Sequence, residues 1–355
     1  MRRTRVVATI GPSSWDQEIL ATMFSSGVNV FRLNYSHGEP EEKDILYDRI
    51  RSLENANRTT CILADLPGPK LRLGKFEGSR VLKSGDNIRL LCGLKTHDGE
   101  EFPVEYDGLS QELTKGDQIL LADGIIRLSV ISTGGKKASF VDCLVEDGGT
   151  LTSRKGINVP GTMVDLPAVG ERDLLALDHA IKAGADWVAV SYVRTAEDIK
   201  PARDAIRSAG LHTPIIAKIE HPAALENLDS ILDAADGVMV ARGDLGVEIP
   251  MEQVPLAQQQ IIDAALTRGM VAIVATQMLE SMTLAPRPTR AEVSDVSTAI
   301  RHGGTAVMLS GETASGNYPI ASVETMVKIA EATEDGLTST AVSYTHLRAH
   351  ETKRN

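Results

Sequence analysis

Basic residues are in short supply in this chain, in which 37 lysines and arginines face 48 acidic residues and the formal net charge is −11. Aromatic residues make up only 4% of the sequence. With no run of lysine and arginine and no basic aromatic stripe, this composition argues against general nucleic-acid binding. No apolar stretch approaches the roughly 20 residues that span a bilayer. We therefore expect neither a nucleic acid nor a membrane as a partner.

Cysteine is also scarce. Cys61, Cys92 and Cys143 are too few and too dispersed for a disulfide framework or a thiolate metal site. The amino terminus is basic but leads directly into a short strand, unlike a signal peptide. These features predict structural thiols in a reducing compartment, and we expect a cytoplasmic protein.

What the chain does contain is a repeated pattern of an apolar run, a polar end and an amphipathic segment. Eight such units favour a (β/α)₈ TIM barrel in the α/β class, and an open sheet with extra strands is the alternative. The apolar runs begin near Val6, Val28, Cys61, Trp187, Ile215, Val238, Val271 and Ala306. The helices include 173–183, 223–233 and 255–268, and a last one at about 320–333.

One interval in this pattern is much longer than the others, from about Pro67 to Gly161. Its short β-rich runs, at 118–121, 125–131 and 138–145, predict an inserted small β-barrel or sandwich after the third strand. The predicted divisions are barrel residues 1–66 and 163–336, the insertion at 67–162, and a tail at 337–355. Because the insertion leaves the barrel at the carboxyl end of a strand, we expect it to act as a lid that excludes water from the substrate.

Polar residues recur where the predicted strands end, which is where parallel α/β folds bind ligands. Glu220 and Asp244 end consecutive strands, and their oxygen ligands favour Mg²⁺ or Mn²⁺. Capping of the following helices is the alternative for both residues. Lys218 shares one side of its strand with Glu220, so it either stabilises negative charge on a substrate or forms a buried salt bridge.

A second group lies at the end of the second strand. Arg32, Asn34 and Ser36 alternate along one side of this strand end and present a guanidinium, an amide and a hydroxyl, a set that suits phosphate. Asp65 ends the next strand, so an ion pair with Arg32 is an equal alternative. Near two later strand ends, Gly243 opens a turn suited to a carboxylate, and Thr276 supplies either a site hydroxyl or a helix cap.

Several motifs together resemble those of the pyruvate kinase family. They are, in chain order, TIGPSS at 9–14, NYSHG at 34–38, KIE at 218–220, RGDLG at 242–246, ATQMLESM at 275–282 and LSGETA at 309–314. The resemblance runs from the amino terminus to about Thr333. It implies transfer of a phosphoryl group from phosphoenolpyruvate to ADP, giving pyruvate and ATP in glycolysis, and family members are homo-oligomers.

The resemblance also assigns roles to residues. Arg32 would hold the transferring phosphoryl group, Lys218 would stabilise the transition state, and Thr276 completes the catalytic set. The remaining roles are substrate binding by Gly243, Asp244 and Thr276 with Arg32 and Lys218, Mg²⁺ binding by Glu220 and Asp244, and contacts to nucleotide phosphates by Asn34, His37 and Arg72.

The chain departs from the family pattern at the monovalent-cation pocket. Many members read DTKGPE where this chain reads DLPGPK at 65–70, so Leu66 and Lys70 replace a threonine and a glutamate. Asn34, Ser36 and Asp65 retain the rest of the pocket. A lysine ammonium can supply the positive charge that K⁺ provides elsewhere, so we expect that K⁺ is not required.

The carboxyl-terminal part is the other departure. The family usually continues into an α/β domain with effector and interface residues, and we expect that domain to be absent here, with a tail of non-family, artefactual origin after the last barrel helix. Two other functions stay open from the sequence: a catalytically silent paralogue that acts as a binding protein, and a Mg²⁺-dependent aldolase of the phosphoenolpyruvate/pyruvate barrel group.

Overall fold

The computed structural model describes residues 2–56, 58–122, 124–135, 139–162 and 164–351. The chain forms two compact units. The first unit comprises Met1–Pro67, Glu171–Gly243 and Pro255–Asn355, and the second comprises Gly68–Gly170 and Asp244–Val254. Among the described residues, no helix has the length and apolar character needed to cross a bilayer.

Strands and helices alternate at the start of the chain. These elements are β1 (Arg5–Thr9), α1 (Gln17–Ser26), β2 (Val30–Asn34), α2 (Pro40–Arg51) and β3 (Ile62–Asp65). Side chains at the helix ends explain some of these bounds. Asp16 caps α1 by accepting a hydrogen bond from the Glu18 N–H, and Gly27 ends α1 with a φ of 121°, which glycine adopts at little cost.

The next segment is rich in short strands. Its elements are β4 (Ser79–Leu82), β5 (Asn87–Cys92), β6 (Phe102–Val104), α3 (Leu109–Glu112), β7 (Gln118–Leu121), β8 (Ile126–Gly134), β9 (Phe140–Asp147), β10 (Gly149–Thr152) and β11 (Ile157–Asn158). These strands form a sheet in the order β11-β7-β8-β9-β5-β6 and a two-stranded sheet, β10-β4. Side chains from both sheets, including Leu90, Ile119, Val141 and Leu151, share one apolar core in the second unit.

Regular alternation resumes after residue 170. The α-helices and strands are α4 (Glu171–Lys182), β12 (Trp187–Val190), α5 (Lys200–Ser208), β13 (Ile215–Ile219), α6 (Pro222–Glu226), α7 (Leu228–Ala234), β14 (Gly237–Ala241), α8 (Arg242–Glu248), α9 (Val254–Thr267), β15 (Val271–Ala275), α10 (Arg290–Arg301), β16 (Ala306–Leu309), α11 (Gly311–Ala314) and α12 (Pro319–Glu351). Short 3₁₀ helices occupy Ala196–Ile199, Met251–Gln253 and Glu280–Thr283.

Eight described strands close into a parallel barrel in the order β1-β16-β15-β14-β13-β12-β3-β2. The predicted TIM barrel is therefore confirmed, and each of its strands matches one of the predicted apolar runs. Apolar side chains such as Val7, Leu63, Ile216, Met239 and Ile273 fill the barrel interior. The sequence also correctly placed the β-rich insertion after the third strand.

The structure differs from the sequence-based expectations in several local features. Among the described residues the inserted strands form two sheets that share one core, as in the sandwich alternative, and not one closed small barrel. The helix predicted over 223–233 is broken at Asn227 into α6 and α7. The last helix does not end near Thr333, because α12 continues to Glu351. The predicted strand start at Ala138, the predicted boundary at residue 163 and the end of the tail at 352–355 lie outside the described residues.

Candidate active site

Four charged side chains meet at the carboxyl ends of neighbouring barrel strands. Arg32 lies on β2, Asp65 ends β3, Lys218 lies on β13, and Glu220 directly follows β13. Since β2 pairs with β3, and β12 joins β3 to β13, parallel pairing brings these positions to one end of the barrel. Asp65 is 1% exposed and Glu220 is fully buried. The site therefore contains two cations and two carboxylates in an environment of low dielectric.

The Lys218 ammonium lies between the two carboxylates. Its Nζ is 2.9 Å from Glu220 Oε1 and 3.2 Å from Asp65 Oδ1. It also donates a hydrogen bond of 2.8 Å to Ser191 Oγ. Removing one partner from a buried ion pair costs more than the pair contributes in net stability, because the remaining charge stays buried. Both functions predicted for Lys218 are compatible with this geometry, which shows the buried salt bridge directly.

Arg32 forms the second ion pair of the group. Its Nε is 2.7 Å from Asp65 Oδ2, and its Nη1 donates a hydrogen bond of 2.9 Å to Thr9 Oγ1. Within the described part of the chain, Arg32 Nη2 has no hydrogen-bond acceptor, and 12% of the side chain is exposed. One edge of the guanidinium is thus held rigidly, and the other edge is available to an anion.

Asp65 is the carboxylate common to both ion pairs. Burial alone would raise its pKa, but the charges of Lys218 and Arg32 and their hydrogen bonds outweigh burial, so the pKa lies below its ordinary value. Asp65 is therefore ionised at neutral pH and fixes the positions of both cations.

Glu220 is oriented by a strained loop. Its Oε2 accepts a hydrogen bond of 2.7 Å from the N–H of Tyr192, which follows β12 and has a φ of 52°. A positive φ in a bulky residue costs roughly 1–3 kcal/mol and persists only where the surroundings impose it. Each carboxylate oxygen has two lone pairs, so Glu220 can still coordinate a cation while it accepts these contacts.

A second strained loop follows β15. Thr276 and Gln277 have φ values of 70° and 53°. Arg242 binds their carbonyl groups through Nη2, at 2.8 Å and 3.3 Å, and its Nη1 is 2.7 Å from Asp295 Oδ2. Positive φ is uncommon for a β-branched residue such as threonine, so the Arg242 contacts hold an unfavourable backbone that places the Thr276 hydroxyl.

The Thr276 hydroxyl accepts a hydrogen bond of 2.7 Å from the N–H of Gly243, and it donates to the carbonyl of Ala275. The structure therefore brings together Gly243 and Thr276, as the sequence predicted. The Gly243 N–H already has a partner in this arrangement, so a ligand carboxylate would have to replace the threonine as its acceptor.

The predicted phosphate-binding face of the second strand is only partly formed. β2 ends at Asn34, and Ser36 lies in the following turn, where its N–H donates 2.9 Å to Asn34 Oδ1. The prediction that Ser36 continues the strand face of Arg32 and Asn34 is wrong, because an asparagine side chain at a strand end readily accepts from the backbone two residues later. His37 follows in the same turn and is exposed.

The second unit contains three further predicted site residues. Lys70 Nζ is 3.7 Å from Asp244 Oδ1, and both side chains are about one-quarter to one-third exposed, at 26% and 31%. Asp244 lies in the first turn of α8. Arg72 Nη1 donates a hydrogen bond of 3.2 Å to the carbonyl of Arg154. Leu66 lies in the first unit, is 1% exposed and presents an apolar side chain with no cation ligand.

Sequence reasoning assigned no role to Ser191, nor to Thr9 and Arg242, although the last two begin motifs that it quoted. Ser191 and Thr9 lie at the carboxyl ends of β12 and β1, so the strand-end rule that found Lys218 could also have found them. The contact of Arg242 with the loop after β15 depends on a positive φ that no sequence pattern indicates.

The described residues contain no group of three or more histidine, cysteine, aspartate or glutamate side chains arranged to hold a metal ion. Mg²⁺ in proteins is commonly bound through one or two carboxylates, with waters and substrate phosphates as its other ligands.

Comparison with known proteins identifies the relatives of the chain. A family model described as the pyruvate kinase barrel domain matches residues 1–323. Pyruvate kinase of Mycobacterium tuberculosis is 41% identical over 348 residues, which cover 98% of this chain and 73% of the relative. The enzyme of Thermococcus litoralis is 42% identical over 98% of this chain and 72% of its own length. The pyruvate kinase of Geobacillus stearothermophilus is 44% identical over 95% of this chain and 58% of its own length.

Proposed function

This chain belongs to the pyruvate kinase family, and we propose that it transfers the phosphoryl group of phosphoenolpyruvate to ADP, giving pyruvate and ATP. The observation that carries the proposal is the group formed by Arg32, Lys218, Asp65 and Glu220 at the carboxyl ends of the barrel strands. Phosphoryl transfer requires positioning and charge neutralisation more than covalent chemistry by the protein, and this group provides both.

Arg32 is proposed to bind the transferring phosphoryl group. Its Nε and Nη1 are held by Asp65 and Thr9, which supports presentation of the Nη2 edge to phosphate oxygens. Because two of the three nitrogen atoms are already fixed, little side-chain entropy remains to be lost on binding.

Lys218 is proposed to stabilise the negative charge that remains on the substrate oxygen when its bond to phosphorus breaks. The ammonium is buried and held by three acceptors, so it needs little reorganisation during the reaction. Thr276 is proposed as the third catalytic residue. Its placement by a strained loop supports a positional role for the hydroxyl.

Glu220 and Asp244 are proposed as the protein ligands of Mg²⁺ or Mn²⁺. Their donor atoms are carboxylate oxygens, which are the ligands that a hard divalent cation prefers. The bound ion would supply positive charge to the phosphoryl oxygens. Gly243, Asp244 and Thr276 are further proposed to hold the carboxylate end of the substrate.

The nucleotide phosphates are assigned to Asn34, His37 and Arg72. The exposure of His37 supports this assignment, since a phosphate can reach its side chain from solvent. Among the described residues, the Arg72 guanidinium donates one hydrogen bond of 3.2 Å, to the carbonyl group of Arg154, which a charged phosphate can replace at small cost. A cytoplasmic location and homo-oligomeric assembly are proposed from family membership alone.

K⁺ is proposed not to be required. Leu66 is buried and apolar, and the Lys70 ammonium lies 3.7 Å from Asp244. An ammonium at this place supplies the charge that a bound monovalent cation provides in relatives with threonine and glutamate at these two positions.

The test is pyruvate formation by the purified chain from phosphoenolpyruvate, ADP and Mg²⁺, in parallel buffers that contain K⁺ or only Na⁺. Equal turnover in both buffers would support both the reaction and the role of Lys70. Turnover only with K⁺ would retain the reaction and refute the role of Lys70. A folded sample that binds phosphoenolpyruvate without turnover would favour a silent binding protein, and condensation of pyruvate with an aldehyde would favour an aldolase.

A further inference from the structure

A cavity of about 320 Å³ opens at the amino-terminal end of the barrel strands, the opposite end from Lys218 and Glu220. Its wall is almost entirely apolar. Six of the lining side chains are Val7, Val30, Leu63, Trp187, Val271 and Ile273. This volume lies at the lower end of the range typical of small-molecule sites.

The exposure of the lining residues indicates which end of the cavity faces solvent. Val7, Leu63 and Ile273 are at most 4% exposed and form its floor. Trp187 and Val271 are partly buried and form its wall. Arg3 and Arg5 are exposed, which places them where the cavity meets solvent. An apolar interior thus ends in a cationic mouth.

The guanidinium groups of Arg3 and Arg5 place positive charge at the mouth of the cavity. Within the described ranges, neither Arg3 nor Arg5 forms an ion pair through its guanidinium. The carboxylate of Glu334 lies close to this region, but its oxygens accept hydrogen bonds from the backbone N–H groups of Arg3 and Thr4, at 2.6–3.0 Å. The mouth therefore favours an anion, although the whole chain has a net charge of −11.

The interior of the cavity has few groups that can form hydrogen bonds with water. Cys61 also lines the cavity, and burial raises the pKa of its thiol to about 12, so the thiol is uncharged at neutral pH. A cavity with few polar partners holds water poorly and gains more from an apolar occupant. The combination of an apolar interior and paired cations at the mouth matches a molecule with an apolar tail and an anionic head.

We propose that this cavity binds a small carboxylate with an apolar tail, whose tail lies among Val30, Trp187 and Val271 and whose carboxylate contacts Arg3 and Arg5. The site is separate from the proposed catalytic residues, and its occupation does not depend on phosphoryl transfer.

The fluorescence of Trp187 can report ligand binding in the cavity. The chain has two tryptophans, so the Trp15→Phe variant reports from the cavity alone. Titration with hexanoate, octanoate and decanoate should give saturable changes in Trp187 fluorescence. Each added methylene should tighten binding by about fourfold until the cavity is full. Octan-1-ol, which lacks the charge, should bind more weakly than octanoate.

Substitutions in the Trp15→Phe background distinguish the contribution of the ligand's apolar tail from that of its carboxylate. Arg3→Gln and Arg5→Gln should each weaken octanoate binding by about two- to fivefold and leave octan-1-ol unchanged, because the contacts are partly solvated. Val271→Phe should weaken both ligands by occupying the cavity. Arg207→Gln, at an exposed arginine outside the cavity, is the matched control and should change neither.

The proposal is overturned if the fluorescence does not saturate with any alkanoate, or if Val271→Phe binds octanoate as tightly as the parent. Equal affinity for octanoate and octan-1-ol would contradict the role of the arginines. So would an equal loss of affinity in Arg207→Gln and in the two mouth variants.

Discussion

Replacement of Lys218 by methionine tests the structure most directly. Methionine retains most of the length and volume of the lysine side chain but removes its charge and its hydrogen-bond donors. In the Lys218→Met variant, Glu220 and Asp65 lose a cation at 2.9 Å and 3.2 Å, and Ser191 loses a hydrogen bond of 2.8 Å. The substitution therefore leaves one fully buried carboxylate without its ammonium partner.

The size of the effect follows from these distances. With an effective dielectric constant of about 20, the two attractions amount to about 6 and about 5 kcal/mol before desolvation is subtracted. Part of this is offset because the ammonium no longer has to be buried, and Arg32 still pairs with Asp65. Broken buried pairs typically cost about 3–5 kcal/mol, and we expect the free energy of unfolding to fall by this amount.

Activity should fall further than stability would explain. Loss of one preorganised group that stabilises transition-state charge costs about 10²–10³-fold in kcat. We expect the variant to remain folded at 25 °C and to lose pyruvate formation by at least that factor. Urea denaturation gives the stability, and steady-state turnover of phosphoenolpyruvate with ADP gives kcat and KM.

Lys182→Met is the matched control. Lys182 pairs with Asp178 at 2.7 Å, but its side chain is 73% exposed. Such surface pairs contribute less than about 1 kcal/mol, so stability and turnover should hardly change. The reasoning is refuted if Lys218→Met retains more than about one-tenth of the parent kcat, which a group of this kind cannot allow. A loss of stability no larger than that of the control would refute the electrostatic argument.

Three further outcomes are expected. The pKa of Asp65 lies below the ordinary value of 3.8, so its ion pairs stabilise the fold above that pH, and this contribution is lost as the pH falls through the lower folded pKa. The stabilities of the parent and of Asp65→Asn in urea denaturation should therefore converge as the pH is lowered below 3.8. Lys70→Glu should make turnover dependent on K⁺, by about tenfold over Na⁺, whereas equal rates in both salts would exclude Lys70 as the source of the missing charge. Gly336→Ala should raise the free energy of unfolding by about 0.5–1 kcal/mol, because Gly336 lies within α12 and an added Cβ meets nothing within 4 Å. Thermal melts measure this change, and no gain in stability would contradict a helix at this position.

Much of the barrel could be predicted because each strand has a local cause. The buried strands of a parallel barrel are covered on both faces, so they appear as continuous apolar runs such as 215–219 and 237–241. A local cause is also present where a capping pair begins a helix, as with Thr195 and Asp198 at the 3₁₀ helix Ala196–Ile199. The break at Asn227 between α6 and α7 had no such signal in the apolar spacing, and the end of α12 was placed too early.

The candidate site also has features that the sequence predicts and features that it leaves open. The residue types and their strand-end positions identified Arg32, Lys218 and Glu220 as candidates, since parallel strands bring their carboxyl ends together. The sequence left open whether Lys218 forms a salt bridge and whether Arg32 pairs with Asp65. These are questions of distance between side chains on different strands, and the alternation within one strand cannot answer them.

The sequence by itself therefore determined the fold class, the family and the types of residue available for chemistry, because these depend on local patterns and motifs. Only the tertiary structure decided that one ammonium lies between two buried carboxylates, and that Arg242 holds the strained backbone at Thr276. It also decided that the barrel has an apolar cavity at its other end. Each of these features depends on contacts between residues far apart in the chain, whose geometry is set when the barrel closes.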